Sequence, residues 1–568
     1  MSTERLERKK INGKYYYYYS RWEWRQGKCR RVWQKYLGKL EDIAATAQGP
    51  PEPAYAEVFQ FGLPGALWLE CGRQRIVEEI DRLSPKRRQG LSVGEYLALA
   101  AVNRAVRPVS KRGMWEWFTG TTLRRCLPEA DEAALSSQRF WDHMDTISPS
   151  TALRVWTAII RSVVGREAVD LSRVSYDGTN FYTFINTFNT RSSLAARGKN
   201  KQGRGNLRQV SYAVFCSRDG LPLFYDIYEG NRADAREFPL MVERFERFVR
   251  GLGPVEQRPA VTVIFDKGNN SRANIELLDD LPLDFIGSLK LKEQRELALV
   301  SNRDARWGAC LKPDLEGVKT FSVEKEVYGK TRRLVIVFNP ELYAEQRRTL
   351  ECDLDKALRR LTALSQRLGA RLQGEVRRGR APSEDSVRRE IARILDRPFL
   401  KEIVHLEVQP GPRLEYGWSS EALERISDTW LGKKILVTNP KPWSDEEIVE
   451  AYHGQFMVEH LFREMKNRER PNWWPLHHWT DHHVRIHALY CTLAMLLRAL
   501  LHRRVRQAGI EISIGRLYRE LDAVREVVNV YPAMRRRKER TSTVLTKTSE
   551  LQQRLLEILG LTREALLG

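Results

Sequence analysis

Ala260-Val-Thr-Val-Ile-Phe265-Asp266-Lys-Gly268 is an almost wholly apolar run that stops on a carboxylate. A run of this length and composition reads as a strand at the centre of a sheet, buried on both faces. In open α/β sheets, sites form beyond the C-terminal strand ends, so Asp266 is a candidate site residue. Upstream, Leu171-Ser-Arg-Val-Ser-Tyr-Asp177 is a shorter β-prone run that also closes on an aspartate, followed by Gly178. Alone, Asp177-Gly178 is equally a turn signal.

The elements around these two runs alternate. Asn206 to Cys216 reads as a strand, and Leu221 to Tyr228 as its partner across the turn Arg218-Asp-Gly220. Helical patterns follow over Ala233 to Val249 and Ser271 to Leu278, with a strand at Asp284 to Leu289. Three meandering strands followed by alternating helix and strand predict a mixed α/β sheet over 166–292. That order breaks near residue 293. Strands are expected at Lys319 to Glu326 and Thr331 to Phe338, a long leucine-spaced helix over Glu341 to Arg378, and strands again at Ile403 to Val408 and Lys434 to Val437. Residues 293–430 are read as an α+β insertion, with a separate domain as the alternative, and 431–510 as the second part of the core.

The flanks read differently. Tyr15 to Tyr19, Trp22 and Trp24, turned at Gln26-Gly27 into Cys29 to Leu37, form a hairpin within 1–48 whose faces are aromatic or basic. It serves either as a DNA-contacting flap or as an edge packed on another domain. After the linker Gly49-Pro-Pro-Glu-Pro53, residues 57–165 are helical, with a capping box at Ser92-Val-Gly-Glu95. This domain is read as DNA-binding, or as a helical dimerisation or packing domain. Residues 511–568 form a helical tail containing the basic run Arg535-Arg-Arg-Lys538.

Composition narrows the partners. Lys and Arg number 95 against 73 Asp and Glu, a formal charge of +22. That excess favours nucleic acid or an anionic surface. The seven cysteines are odd in number and too far apart for a C-x-x-C pair, which fits free thiols in a reducing cytosol. The charged first ten residues lack the apolar core of a signal peptide. Ala488 to Leu501 is too short to span a bilayer and contains Arg498, so it reads as a buried helix and no membrane is expected.

A capping box, Ser444-Asp-Glu-Glu447, opens a helix that carries Tyr452, Gln455, Glu459 and Lys466. At about 100° per residue these four fall within roughly 60° of arc on one face. Asp177, Asp266 and Glu459 together suit phosphodiester chemistry. In-line attack and a departing oxyanion are both served by two divalent ions about 3.5–4 Å apart. Mg²⁺ prefers oxygen ligands and few protein groups. His478/His482 and His483/His487 have the i, i+4 spacing of zinc ligands, but no cysteine accompanies them.

With these motifs the chain resembles the DDE transposases of bacterial insertion sequences, in the subgroup with the signature Y-x2-R-x3-E-x6-K. Here that signature reads Tyr452, Gln455, Glu459, Lys466. The resemblance extends to Tyr176-Asp177-Gly-Thr, Gly198-Lys-Asn-Lys201, Gly220-Leu-Pro-Leu223, Glu229-Gly-Asn-Arg-Ala-Asp234 and Val263-Ile-Phe-Asp266-Lys-Gly268. It also takes in Trp479-Thr-Asp-His-His-Val-Arg485-Ile-His487 and Asn103-Arg-Ala-Val-Arg-Pro108-Val-Ser110-Lys111. It implies a ribonuclease H-like core with a large insertion between the second aspartate and the glutamate. Asp177, Asp266 and Glu459 would be catalytic and would bind two Mg²⁺ ions, with Mn²⁺ as a substitute.

The implied reaction is cleavage at terminal inverted repeats followed by joining of the 3′-hydroxyl to target DNA. The implied partners are double-stranded DNA and a second copy when two ends are paired, in a bacterial cytoplasm at the nucleoid. Tyr452 and Lys466 would hold phosphate. Gln455 departs from the pattern's arginine and cannot neutralise a phosphate; Arg463, four residues beyond Glu459, is the candidate replacement. Lys199, Lys201 and Arg204 lie in an acid-free basic stretch, 191–208, read as a phosphate-gripping loop or a solvated one. Trp473 and Trp474 read as a base-stacking platform or as core. Rival functions are a repressor without catalysis and a nuclease of the same fold.

Overall fold

The computed structural model describes residues 2–25, 27–47, 52–85, 90–199, 203–252, 260–375, 382–410, 413–439, 442–467, 472–531 and 540–567. Lys201, Gln26, the first three residues of the 49–53 linker and the run at 535–538 lie outside the described residues.

The N-terminal hairpin is larger than the sequence suggested. Strands β1 (Ser2–Ile11), β2 (Lys14–Arg25) and β3 (Lys28–Gly38) form a three-stranded antiparallel sheet. The charged first residues are its edge strand: Leu6 pairs with Tyr19 and Arg8 with Tyr17. Cations cover the rings, with Arg5 4.3 Å above Trp22 and Arg8 4.4 Å above Tyr15. Among the described residues none of this sheet enters an apolar core.

The central sheet has nine strands. They are β5 (Arg173–Thr183), β6 (Arg208–Ser217), β7 (Pro222–Glu229), β8 (Thr262–Ile264), β9 (Asp284–Leu289), β10 (Gly308–Ala309), β11 (Lys319–Val327), β12 (Lys330–Phe338) and β15 (Lys433–Thr438). Their order is β10-β11-β12-β15-β9-β8-β5-β6-β7. β8 pairs in parallel with both β5 and β9, and the other pairings are antiparallel, so the sheet is mixed. All three residues of β8 are buried, as the apolar run at 260–265 required.

The stretch 293–430 divides in two. β11 and β12 hydrogen-bond into the central sheet through β15. The remainder has its own core, in which Leu350, Leu354, Leu361 and Leu364 of the helix Pro340–Leu372 pack with Ile391, Ile403 and Ile426. This part also holds the two-stranded pair β13 (Val404–Gln409) and β14 (Arg413–Trp418).

The C-terminal tail is not wholly helical. β16 (Arg525–Tyr531) and β17 (Arg540–Leu545) form a small sheet with β4 (Tyr55–Gln60), which opens the otherwise helical 57–165 region. Alternate burial of Glu526, Val528 and Val530 gives the tail the period-2 pattern of a strand. The helix Asp481–Gln507 is long and apolar enough to cross a membrane, yet it is buried within the fold. Its Arg498 is ion-paired to Glu464.

Candidate active site

Asp177 does not end its strand. Thr179, Phe181 and Tyr182 carry β5 on to Thr183, and Asp177 sits in its middle. Gly178 is a strand residue paired with Ala213, not part of a turn. A Cβ at Gly178 would lie 3.2 Å from the Tyr228 hydroxyl and 3.4 Å from Asp234. Those two groups are hydrogen-bonded at 2.8 Å beneath the strand.

Asp266 stands two residues beyond β8, and Ser175 pairs with Ile264. Asp177 and Asp266 each follow by two residues the last paired positions of the two strands, Ser175 and Ile264. Asp177 is half-buried and Asp266 exposed.

The helix expected from Ser444 through Lys466 is two helices. Asp445–His453 starts at the predicted capping box, and Phe456–Lys466 follows after a break at Gly454 and Gln455. At the break the hydrogen bonds tighten to i−3, from Gln455 to Tyr452 and from Val458 to Gln455. The single continuous stripe therefore does not hold, and Gln455 is buried at the junction, 8% exposed.

The two ends of the stripe nevertheless reach the aspartates' strands. Tyr452 Oη donates to Asp266 Oδ1 at 3.4 Å. Burial, and then the nearby Asp266 and Glu459 charges, raise the Tyr452 pKa well above its ordinary value, against a hydrogen bond with Ser288. The phenol is thus held protonated as a donor. Lys466 Nζ donates to Thr179 Oγ1, two residues along β5 from Asp177, and lies 5.5 Å from the Phe181 ring.

Glu459 is exposed on the second helix, whose Val458, Leu461, Phe462 and Met465 are buried. Arg463 is exposed and makes no ion pair among the described residues.

The first helix is anchored by Glu450, which the sequence reading missed. Its carboxylate takes Arg173 at 2.9 Å, Arg218 at 2.7 Å and Lys312 at 2.7 Å, and so ties the start of β5, the β6–β7 turn and the strand region beyond β10 to the helix of Tyr452. Burial works against the charge, but the Lys312 and Arg173 hydrogen bonds outweigh it and hold this carboxyl down at about 2.

The basic loop is partly structural. Arg208 donates to the carbonyls of Asn186, Asn189, Ser192 and Ala195, so it organises the loop and is not free to hold phosphate. Asp481 accepts from Ser192, Ser193 and Leu194 and pins the loop to the helix Asp481–Gln507. The Lys199 carbonyl receives the Asn180 amide at 3.3 Å, which places Lys199 beside β5. Arg204 lies 4.7 Å from the Tyr182 ring.

Trp473 is fully buried and stacks on Phe181 at 4.2 Å, so it is core. Trp474 stacks on Tyr182 at 4.7 Å. The i, i+4 histidine pairs do not form ligand sets: His487 and His478 are buried against Tyr490. Among the described residues, the His, Cys, Asp and Glu group whose ligand atoms lie within 4.8 Å of one another is Asp145, His482 and His483. Asp177, Asp266 and Glu459 are spread wider than that.

Residues 172–497 match the family model described as a transposase DDE domain, more than half of the chain. The chain belongs to the transposase DDE domain family. The matched span begins one residue before β5 and runs into the helix Asp481–Gln507, so it takes in the whole central sheet and all three candidate carboxylates of this transposase. A transposase acts on DNA, a polyanion that the formal charge of +22 suits. No curated protein matches the chain.

Proposed function

We propose that this transposase cleaves DNA at the terminal inverted repeats of an insertion sequence and joins the freed 3′-hydroxyl to target DNA, with Asp177, Asp266 and Glu459 as its catalytic and metal-binding residues. The observation that carries the reading is the Tyr452 phenol, which hydrogen-bonds Asp266 and feels the charge of Glu459. It links the second aspartate to the glutamate helix, while the β5–β8 register links the second aspartate to the first.

The donor set fits divalent magnesium. It consists of carboxylates, Asp177 partly buried and Asp266 and Glu459 exposed, with no thiol or imidazole among them. Such ions, when bound, supply activation of the attacking oxygen and neutralisation of charge at the scissile phosphate.

The protein's own groups position the DNA. Lys466 presents an ammonium beside Asp177's strand, and the protonated Tyr452 offers a donor beside Asp266. Arg463 takes the role that the buried Gln455 cannot fill, which keeps a cation on the glutamate helix. This reading places the chain in the tyrosine–arginine–glutamate–lysine subgroup with one altered position.

Lys199 and Arg204 extend the phosphate track along β5. The N-terminal sheet adds a second DNA-contacting surface, since Trp24, Trp33 and Tyr36 are exposed among arginines and lysines on a sheet that, among the described residues, shares no apolar core with its neighbours. Two copies acting together would hold the two element ends, in the cytoplasm of a bacterium.

The test supplies Mg²⁺, a duplex carrying an element end and a supercoiled target. Joined products are expected. Cleavage without joining favours a nuclease, and binding without cleavage a repressor.

A further inference from the structure

Five Lys and Arg side chains are buried among the described residues: Arg104, Lys111, Arg332, Lys433 and Arg498. Three of them are compensated. Arg332 is gripped through two nitrogens by Asp279, Arg498 pairs with Glu464, and Lys433 donates to the carbonyls of Ala298, Val300 and Thr429. Arg104 and Lys111 meet no carboxylate among the described residues.

These two lie on one ring. Arg104 is in the last turn of the helix Val93–Val106, and Lys111 starts the short turn Lys111–Gly113. Lys111 Nζ lies 4.3 Å and Arg104 Cζ 5.7 Å from the centre of the Tyr490 ring, and Phe140 lies 4.7 Å from Lys111. One Arg104 nitrogen donates to the Pro475 carbonyl at 3.1 Å. Arg104 Nε and Nη1 and Lys111 Nζ are buried and meet no acceptor among the described residues.

The neighbours supply no negative charge. His487 Nε2 faces the Trp473 carbonyl at 2.8 Å, so this nitrogen carries the proton and Nδ1 accepts the Tyr490 hydroxyl at 2.5 Å. Tyr490 is therefore a neutral phenol, and burial raises its pKa further. The Cys491 thiol donates to the Asn472 carbonyl, and burial pushes it up to about 12. Burial and the Arg104 charge push Lys111 towards losing its proton, but a guanidinium keeps its own. A buried positive charge thus remains whatever Lys111 does. A ring face attracts a cation, yet returns less than the burial of an unpaired ion costs.

We infer that Arg104 and Lys111 hold one small monovalent inorganic anion of the halide class beside Tyr490. Water would satisfy the donors and offset neither charge. Three donor nitrogens suit a single-atom anion. Sulfate or phosphate would bring four oxygens against a wall that is otherwise aromatic, and leave acceptors unmatched. The ion would tie the helix Val93–Val106 to the helix Asp481–Gln507, in which the family match ends. Its effect is on stability, and the inference does not depend on which DNA the chain cuts.

The test uses the full chain, prepared separately in chloride, bromide and gluconate at one ionic strength. Crystals of the bromide preparation are expected to show an anomalous peak within hydrogen-bond distance of Lys111 Nζ and of an Arg104 nitrogen. Replacing gluconate by chloride is expected to raise the melting midpoint by about 2 °C for each tenfold in chloride once the site is half-filled. Lys111→Met keeps the stem, removes the charge and should lose that dependence. If this variant does not fold, the anomalous peak in the wild type decides alone.

Density at that place without an anomalous signal would assign water and overturn the inference. An equal chloride dependence in wild type and Lys111→Met would place the ion on the surface and overturn it too. Stabilisation by sulfate and not by chloride or bromide would overturn the halide assignment.

Discussion

Tyr452 Oη donates to Asp266 Oδ1 at 3.4 Å, although 186 residues separate them in sequence. The contact closes the long excursion between the second aspartate and the glutamate helix. Tyr452→Phe removes the donor and keeps the ring. Cleavage of element-end DNA should fall about tenfold, the worth of roughly 1.4 kcal/mol. The melting temperature should change little. Steady-state cleavage rates beside thermal melts check both parts, and wild-type rates in the variant would remove Tyr452 from the site.

Glu450 is the anchor of the Tyr452 helix, and its carboxyl is held at about 2 against an ordinary 4.5. A depressed folded-state pKa stabilises the fold above pH 4.5, and that contribution is lost as the pH falls from 4.5 through 2. Glu450→Gln should therefore cost on the order of 2 kcal/mol at pH 7. The gap between variant and wild type should close as the pH falls through that window. Denaturation midpoints from pH 7 to pH 2.5 measure it; a constant gap would show that the charge is not the cause.

Trp473 belongs to the core, where Trp474 packs only in part. Trp473, fully buried on Phe181, should cost about 3–5 kcal/mol as Trp473→Ala, read as a lowered unfolding midpoint. An unaltered midpoint with weakened DNA binding would return Trp473 to the base-stacking role.

Arg463 is exposed on the glutamate helix and carries no ion pair among the described residues. Arg463→Glu should weaken binding of element-end duplex and lower its salt slope by about 0.9, one phosphate contact on B-DNA. Element-end cleavage unchanged by this reversal would leave the buried Gln455 without a substitute.

Much of the central sheet was legible, for identifiable reasons. The run 260–265 reads as an interior strand and yields the buried strand Thr262–Ile264, and the capping boxes at Ser92 and Ser444 form as written. Asp177 was misplaced at a strand end because Asp-Gly is a turn signal in isolation. What overrode it was tertiary: β5 stays paired with β6 through Asp177 and Gly178 and on to Thr183. The break at Gly454–Gln455 was hidden by an unbroken helical pattern in which only the glycine hinted at a junction. β1 was missed because both of its faces are charged, so it shows no apolar alternation, and it is held by cations over rings. Glu450 could not be found from sequence, since its three partners come from positions 173, 218 and 312.

The central claim is that Asp177, Asp266 and Glu459 form one metal-dependent cutting site. The most direct measurement is cleavage of element-end DNA with Mg²⁺ by the wild type and by Asp177→Ala, Asp266→Ala and Glu459→Ala, each shown to bind the same DNA and to melt like the wild type. Each single substitution should abolish cleavage, and EDTA should do so in the wild type without releasing the DNA. Cleavage at wild-type rate by any one of the three variants would contradict the account.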